Sequence, residues 1–236
     1  MIDIHCHILP GIDDGPQTMQ ESVLMAKMAY DDGITHIVAT PHVKYELTEP
    51  SRILGLLAEL NGILREDGIP LNVLRGADVN AVIDPGLLDP YTINGTRYIL
   101  LEFPYARIPV DVRGTLFRFA RAGLRPIITH PERNRSVISN LSLAAEIIKS
   151  GALIQITAGS ITGEFGPEIA GCAEKLLIEG YVHFIASDAH SLRHRPPMLS
   201  EAVKRAAELV GKDSARALAL DNPHSVISGC ALSPKA

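Results

Sequence analysis

The segment IDIHCHILPGIDDG, residues 2–15, joins a strand-like run to two histidines and two carboxylates. Alternate residues of a β-strand face the same side, so His5 and His7 can reach one ion while Cys6 points away. Imidazole nitrogens and carboxylate oxygens together bind borderline and hard cations. The segment therefore predicts a metal site at the carboxyl end of the first strand, although a strand end that happens to carry two histidines is the simpler alternative.

Beyond this segment, short apolar runs alternate with longer amphipathic segments. Such alternation is typical of βα units around a parallel sheet. The pattern predicts seven strands, at residues 1–4, 34–40, 71–76, 98–103, 126–129, 153–157 and 182–187. It predicts helices at residues 19–32, 51–66, 85–88, 110–122, 142–149, 167–179, 198–210 and 213–220. We therefore expect one α/β domain over residues 1–231, with residues 232–236 as a flexible tail.

Residue types that bind metals follow six of the seven predicted strands, each at or just beyond the carboxyl end. Barrels of parallel strands place their active sites at this end. Because scattered surface residues would not align with strand ends in this way, the alignment itself indicates a shared site. The residues are His5, His7, His42, Asp78, Glu102, His130, Asp188 and His190.

Four other histidines have simpler explanations. His36 and His183 fall inside predicted strands, where packed or sheet-face positions are expected. His194 falls in a loop and is expected to be solvated, and His224 belongs to the start of the last short helix. We do not expect these four side chains to bind metal.

The composition excludes several classes of protein. The 236 residues carry a net charge of −5 with 46% hydrophobic residues, so the clustered basic surface of a nucleic-acid-binding protein is not expected. Three widely spaced cysteines without a CxxC pair are typical of a reducing compartment. The sequence has neither a targeting segment nor an apolar run of about 18 residues, so we expect a cytoplasmic protein without membrane insertion.

Five short motifs at the strand ends resemble the polymerase-and-histidinol-phosphatase superfamily. They are HCH at 5–7, ATPH at 39–42, LEFP at 101–104, THPER at 129–133 and ASDAH at 186–190. Within that superfamily, DDG at 13–15, HPERNR at 130–135 and TAGS at 157–160 resemble the manganese-dependent protein-tyrosine phosphatases of bacterial capsule and exopolysaccharide operons. The resemblance covers essentially the whole chain.

This resemblance implies a single-domain, distorted (β/α)7 barrel that carries three divalent metal ions at the carboxyl ends of its strands. Manganese is the ion of the family, and iron or zinc suits the same ligand types on chemical grounds. The resemblance also implies a phosphotyrosine-containing protein as substrate, namely a bacterial tyrosine autokinase that controls capsule or exopolysaccharide synthesis.

The resemblance further implies a set of ligands for each ion. The first ion would be bound by His5, His7 and Asp188, the second by Glu102 and His130, and the third by Asp14, His42 and His190. The family bridges the first two ions with a glutamate after the third strand, whereas this chain has the shorter Asp78. A bridge by Asp78 needs the backbone or the ions to shift by about 1 Å. Asp13 could replace Asp14 as a ligand, and spacing does not decide between them.

Four further residues are candidates for binding a phosphate. Arg133 and Arg195 follow the fifth and seventh strands, where a guanidinium can bind phosphate bidentately, and we name both as catalytic and substrate-binding candidates. For each of them the alternative is a solvated surface charge. Thr157 and Ser160 lie in a glycine-containing loop before a helix and either donate to phosphate or only shape the loop.

The favoured function is hydrolysis of phosphotyrosine by a hydroxide that bridges metal ions. A phenolate, with a pKa of about 10, leaves readily, so no dedicated general acid is required. One alternative is a small-molecule phosphomonoesterase acting on a substrate such as histidinol phosphate, because the metal cluster does not choose the leaving group. Another is a metal-bound but inactive regulator of the kinase. A nuclease is disfavoured by the low basic charge.

Overall fold

The computed structural model describes residues 1–44 and 47–232 of the chain. Within them the strands are β1 Ile2–Cys6, β2 His36–Ala39, β3 His42–Val43, β4 Asn72–Arg75, β5 Asp78–Asn80, β6 Tyr98–Glu102, β7 Arg125–Thr129, β8 Leu153–Thr157 and β9 Phe184–Ala186. Neighbouring strands run parallel, in the orders β1-β2-β4 and β3-β5-β6-β7-β8-β9. The parallel α/β class predicted from the sequence is therefore confirmed.

Two of the seven predicted strands end one residue early, and each is followed by a short strand that was not predicted. The chain continues from β2 into β3 and from β4 into β5, and these segments pair with one another in turn. Between β2 and β3 lies Pro41, which has no N–H to donate to a ladder. Between β4 and β5, Gly76 approaches β2 so closely that a Cβ there would lie 2.6 Å from Val38 Cγ1. These junctions distort the barrel on this side.

The ring of strands is joined between its first and last members. The backbone N–H of Asp188 donates to the carbonyl of His5, and that of His7 donates to the carbonyl of Ala189, both at 2.8 Å. A bridge between Cys6 and Ala189 continues this pairing beyond β9. Across the described residues, seven strand positions therefore follow one another around an α/β barrel in the order of the sequence.

Side chains of the strands alternate between an outer and an inner apolar layer. Outer side chains such as Ile99, Ile128 and Ile154 pack against the helices. The inner layer, which we call the amino-end cluster, fills the barrel where the strands begin. It consists of Ile2, Ile4, Val38, Ile93, Tyr98, Leu100, Ile127, Leu153, Phe184, Ala186, Val226 and Ile227.

Strand β1 departs from simple alternation, because its register against β2 shifts between Asp3 and Cys6. Ile4 belongs to the amino-end cluster, whereas the ring of the next residue, His5, hydrogen-bonds Gln155 of β8. The irregularity lets two consecutive side chains serve the barrel interior. Cys6 packs in the outer layer, as the sequence predicted.

The helices are α1 Met19–Asp31, α2 Pro50–Glu66, α3 Val112–Arg121, α4 Arg135–Ser139, α5 Ser142–Lys149, α6 Ala158–Thr162, α7 Pro167–Ile178, α8 Ser200–Val210, α9 Lys212–Arg216 and α10 Asn222–Ile227. The predicted helix at 142–149 is confirmed without shift, and the segment predicted at 213–220 is divided between α9 and a π-helical turn at Ala217–Asp221. The segment predicted at 85–88 is a 3-10 turn at Pro85–Leu87, and further 3-10 turns lie at Asp89–Tyr91, Ile93–Gly95 and Pro131–Arg133.

At the carboxyl end of the described chain, the N–H of Leu232 donates to the hydroxyl of Tyr98 at 3.1 Å. Leu232 is the first residue of the expected tail, and residues 233–236 lie outside the described residues. In the part of the chain that the structure describes, none of the helices is long and apolar enough to span a bilayer.

Candidate metal centre

The predicted ligand residues meet at the carboxyl ends of the strands, around a cleft of about 430 Å³. Their nitrogen and oxygen atoms converge in three groups, within each of which the atoms lie within 4.8 Å of one another. The groups are His5–His7–Asp188, His7–Asp14–His42–His190 and His42–Asp78–Glu102. Because His7 and His42 each belong to two groups, the three form one continuous polar site.

The first group matches the ligand set implied for the first ion. His5 Nε2 lies 3.2 Å from His7 Nε2 and 3.3 Å from Asp188 Oδ1. His7 Nε2 lies 3.6 Å from the same Asp188 oxygen. Two imidazole nitrogens and one carboxylate oxygen thus face a common point, which is suitable for a divalent cation.

The group around Asp14 contains all the ligands implied for the third ion. Asp14 Oδ1 lies 3.4 Å from His190 Nε2 and 3.6 Å from His42 Nε2. The rings of His7 and His190 stack, with centroids 3.9 Å apart, so this group adjoins the first one directly.

The remaining group differs in one member from the set implied for the second ion. Asp78 Oδ2 lies 3.3 Å from His42 Nδ1 and 3.9 Å from His5 Nε2, so Asp78 stands between this group and the first one. Glu102 Oε2 lies 3.8 Å from the same His42 nitrogen. His130, which the resemblance implies as the ligand here, lies beside the group, with Nε2 at 3.5 Å from Glu102 Oε1.

Among the described residues, the buried atoms His42 Nδ1 and Asp78 Oδ2 of this group have no hydrogen-bond partner. Buried polar atoms are nearly always paired, because an unpaired one retains its full cost of desolvation. A divalent cation between a nitrogen and a carboxylate oxygen would satisfy both atoms at once. The residues present therefore fit a bound metal ion.

Asp13 and Asp14 have separate roles in the structure. Asp13 Oδ2 accepts hydrogen bonds from His7 Nδ1 at 2.7 Å and from the backbone N–H of His42 at 3.0 Å, while its Oδ1 accepts from Gly15 N at 2.9 Å. Burial opposes ionisation of Asp13, but these donors outweigh it and lower the pKa of its carboxyl group. Asp13 thus orients His7, and Asp14 is the carboxylate that faces the histidines.

Gln155 orients the ring of His5, as Asp13 orients that of His7. The sequence did not predict this role. Its Oε1 lies 2.8 Å from His5 Nδ1, and both side chains are fully buried. With Nδ1 donating to the amide, His5 keeps the lone pair of Nε2 toward Asp188. The available signal was a glutamine flanked by isoleucines in the strand LIQIT, residues 153–157.

Burial keeps His7, His130 and His190 neutral and able to donate lone pairs. At His42, by contrast, burial is outweighed by the adjacent Asp78 carboxylate, which raises the pKa of the imidazole. Burial, together with the nearby Arg133 charge, lowers the pKa of His130 to about 3. Burial also lowers the pKa of His7 and of His190. Conversely, burial and the neighbouring Asp78 charge raise the pKa of Glu102. Three imidazoles of the site are therefore neutral at neutral pH.

Both predicted arginines lie against Asp188. Arg133 Nη1 donates to Asp188 Oδ2 at 2.6 Å, and its guanidinium lies between the rings of Tyr105 and Phe165, 5.2 and 4.7 Å from their centroids. Arg195 Nη2 donates to Asp188 Oδ1 at 3.0 Å, and Arg195 lines the cleft. The structure thus brings both guanidinium groups to the edge of the metal-ligand groups.

Thr157 and Ser160 have other partners. The Ser160 hydroxyl donates to Glu132 Oε1 at 2.6 Å and the Thr157 backbone N–H donates to the same oxygen at 2.9 Å. All three residues are buried. The predicted loop is wrong, because Thr157 ends β8 and Ser160 lies in α6. The contacts favour the alternative in which the two residues have a structural role, here around Glu132.

The histidines that were not expected to bind metal lie outside the three groups. His183 is buried just before β9, and its Nδ1 accepts a hydrogen bond from the Ile154 N–H at 3.2 Å. His36 begins β2, His194 lies in the loop before Arg195, and His224 lies in the first turn of α10, as predicted. Each residue thus has a position independent of the site.

Comparisons with known proteins agree with this arrangement. A family model described as "Capsular polysaccharide synthesis, CpsB/CapC" matches residues 1–228. The tyrosine-protein phosphatase YwqE of Bacillus subtilis (strain 168) is 37% identical over 209 residues, which cover 86% of this chain and 82% of that protein. The putative tyrosine-protein phosphatase CapC of Staphylococcus aureus is 39% identical over 207 residues, which cover 85% and 81%.

Solved structures show the same fold. One described as YwqE from Bacillus subtilis and CpsB from Streptococcus pneumoniae, "unique metal-dependent tyrosine phosphatases", superposes with a TM-score of 0.92 at 34% identity and covers 98% of this chain and 96% of that chain. The phosphotriesterase homology protein from Escherichia coli, with a TM-score of 0.64 and 10% identity over 96% and 98%, shares the fold alone. Since the family match spans the barrel and every residue of the site, this chain belongs to the CpsB/CapC family of capsular polysaccharide synthesis proteins.

Proposed function

We propose that this protein is a metal-dependent protein-tyrosine phosphatase. The observation that carries the proposal is the convergence of nine histidine, aspartate and glutamate side chains at one end of the barrel of a CpsB/CapC family member, with two arginines bound to one of them, Asp188. Relatives over most of the chain are named tyrosine-protein phosphatases, and a structural relative is described as metal-dependent.

Three divalent ions, best matched by Mn²⁺ and chemically compatible with iron or zinc, would occupy the site. His5, His7 and Asp188 would hold the first, and Asp14, His42 and His190 the third. Glu102 would hold the second, with His130 or His42 as its imidazole and with Asp78 between it and the first. When bound, such ions lower the pKa of a shared water and neutralise phosphoryl oxygens.

The residues of the chain would bind and orient the phosphate ester. Arg133 and Arg195 stand at the edge of the cleft, where their remaining N–H groups can donate to the phosphoryl oxygens while Asp188 fixes their positions. Phenolate is a good leaving group, so the proposed reaction needs no general acid from the protein.

The proposed substrate is a phosphotyrosine-containing protein, and the proposed partner is a bacterial tyrosine autokinase that controls capsule or exopolysaccharide synthesis. The proposed location of the enzyme is the cytoplasm, since its three cysteines are free, as is typical of a reducing compartment. Family membership supports this proposal, since the family is described by its part in capsular polysaccharide synthesis.

The test uses purified protein stripped of metal, with its metal content checked by elemental analysis. Turnover of a phosphotyrosine peptide, a phosphoserine peptide, para-nitrophenyl phosphate and histidinol phosphate is measured before and after adding Mn²⁺, Fe²⁺ or Zn²⁺. We expect no activity without metal and much faster hydrolysis of phosphotyrosine than of phosphoserine. Full activity in the metal-free protein would overturn the mechanism, and preference for histidinol phosphate would favour the small-molecule phosphatase. Kinase binding without any hydrolysis would favour the inactive regulator.

A further inference from the structure

An aromatic side chain at the mouth of the cleft has no part in the functions assigned so far. Tyr105 follows β6 by three residues and lines the same cleft as Glu102, His130 and Asp188. It is 49% exposed, which is unusual for a large side chain beside so many buried polar groups. Its open surface therefore faces the space that a substrate must enter.

The ring of Tyr105 is held in place before any substrate binds. It stacks on the ring of His130, with centroids 5.5 Å apart and planes inclined by 13°. Its hydroxyl accepts a hydrogen bond from Arg133, and its carbonyl accepts one from Arg135 N at 3.3 Å. Asn134 Nδ2 donates to the preceding carbonyl, that of Pro104, at 2.8 Å. Such preorganisation lowers the entropy cost of ligand binding.

The chemistry left available on Tyr105 is apolar and aromatic. Because the hydroxyl is engaged with Arg133, which also contacts Asp188, the polar end of Tyr105 points toward the phosphate-binding arginine. A phosphate ester bound there carries its organic substituent on the bridging oxygen, two bonds from phosphorus. That substituent would lie next to the Tyr105 ring.

We infer that Tyr105 is a specificity-determining residue that contacts the aromatic ring of phosphotyrosine. The inference rests on the proposed function and adds to it the side chain that distinguishes an aryl ester from an alkyl ester. Aromatic rings gain from offset or edge-to-face contact, whereas the short aliphatic chain of phosphoserine does not reach or stack in this way. The same side chain also positions Arg133 through its hydroxyl.

The experiment separates ring recognition from the positioning of Arg133. Dissociation constants of phenylphosphonate, which has a ring, and of inorganic phosphate, which has none, are measured by calorimetry on the metal-loaded protein. Tyr105→Leu removes both the ring and the hydroxyl, and Tyr105→Phe removes the hydroxyl alone. The matched control is Phe165→Leu, because Phe165 also flanks Arg133 but does not line this cleft.

We expect Tyr105→Leu to weaken phenylphosphonate about 3- to 10-fold more than phosphate. Tyr105→Phe and Phe165→Leu should leave the ratio of the two constants within about 2-fold of the wild type. Equal weakening of both ligands by Tyr105→Leu would overturn the inference while leaving the proposed function intact. If the wild-type protein binds neither ligand and hydrolyses no phosphate ester, the proposed function fails and the inference fails with it.

Discussion

The two ends of the barrel interior are made from the same strands but have opposite chemistry. At the amino end the inner positions are apolar, and at the carboxyl end they are polar and titratable. Along β8 the inward-facing side chains change from apolar to polar within two residues. Leu153 belongs to the amino-end cluster, Gln155 contacts the His5 ring, and Thr157 follows. Fold and site are thus separated along each strand rather than between domains.

The two ends also differ in their effect on folding stability: apolar burial stabilises the amino end, whereas unpaired buried polar atoms destabilise the carboxyl end. The amino-end cluster contributes burial of apolar surface, about 25 cal/mol per Å². In the described part of the chain, buried side-chain atoms without a hydrogen-bond partner lie at the carboxyl end, with one exception in His183. They are His42 Nδ1, Asp78 Oδ2, Glu132 Oε2, Gln155 Nε2 and Thr157 Oγ1. The apolar end therefore supplies the folding stability that holds the metal-binding end in place.

The largest effect is expected at the apolar end. Phe184→Ala deletes a fully buried ring from the amino-end cluster and should lower the free energy of unfolding by about 3–5 kcal/mol. Urea unfolding measures this loss. Metal stoichiometry and kcat per folded molecule should stay unchanged, and a matching fall in either would show that the two ends are not separable.

At the polar end, Asp78→Asn should act on activity and metal binding. Removing the negative charge between two groups of ligands should lower kcat at least about 100-fold, or roughly 2.7 kcal/mol, and reduce the metal bound per protein. Asp78→Glu should retain substantial activity. Unchanged metal content with a near-normal rate in Asp78→Asn would show that Asp78 does not bridge.

A smaller effect is expected at Asp13, which contacts the proposed ligand His7 through a hydrogen bond. Asp13→Asn keeps the shape of the His7 partner but removes its charge, and it should weaken metal affinity about 10-fold. Metal titration of the stripped protein measures the change. Asp111→Asn, at the exposed N-cap of α3, is the matched control and should leave the affinity unaltered. An affinity equal to that of the wild type would assign Asp13 a purely local role in its turn.

The smallest effect is expected at His183, whose unpaired buried nitrogen lies away from the carboxyl end. Burial, together with the charge of Arg125, lowers the pKa of His183 to about 4 in the folded protein. Between pH 6.5 and 4 the imidazole of His183 therefore binds a proton in the unfolded state but not in the folded state. The free energy of unfolding is thus unaffected by titration of this residue above pH 6.5 and falls as the pH drops from 6.5 to 4. Between pH 7.5 and 5.5 the loss should be about 1 kcal/mol.

The variant His183→Asn isolates this contribution. Its amide oxygen can still accept the hydrogen bond from Ile154 N, but it does not titrate. Thermal unfolding at the two pH values should show a smaller acid-induced loss for the variant than for the wild type. Equal losses would mean that His183 is protonated in the folded state at the lower pH.

Sequence periodicity located the elements because each apolar pattern is local. Helix α5 and strand β8 have the predicted bounds, whereas the breaks after β2 and β4 were missed. Those breaks depend on Pro41 and on the contact of Gly76 with Val38, which joins segments far apart in the chain.

The candidate site shows the same limit. Residue type and strand-end position were sufficient to name the side chains that converge, and Asp13 could be separated from Asp14 only by its contact with His7. The role of Gln155 arises from a hydrogen bond across 150 residues of sequence. The sharing of His42 between two groups likewise has no local signature.

In the described chain, four residues other than glycine have positive φ, and three of them belong to this site: His130 at 37°, Asp188 at 51° and Arg195 at 60°. A side chain in this left-handed region costs about 1–3 kcal/mol, which glycine would largely avoid. Laboratory selection for heat resistance alone would therefore favour glycine at these three positions. The selected barrel would be more stable but would lack the imidazole of His130, the carboxylate of Asp188 and the guanidinium of Arg195. Such a selection therefore needs a parallel screen for catalysis.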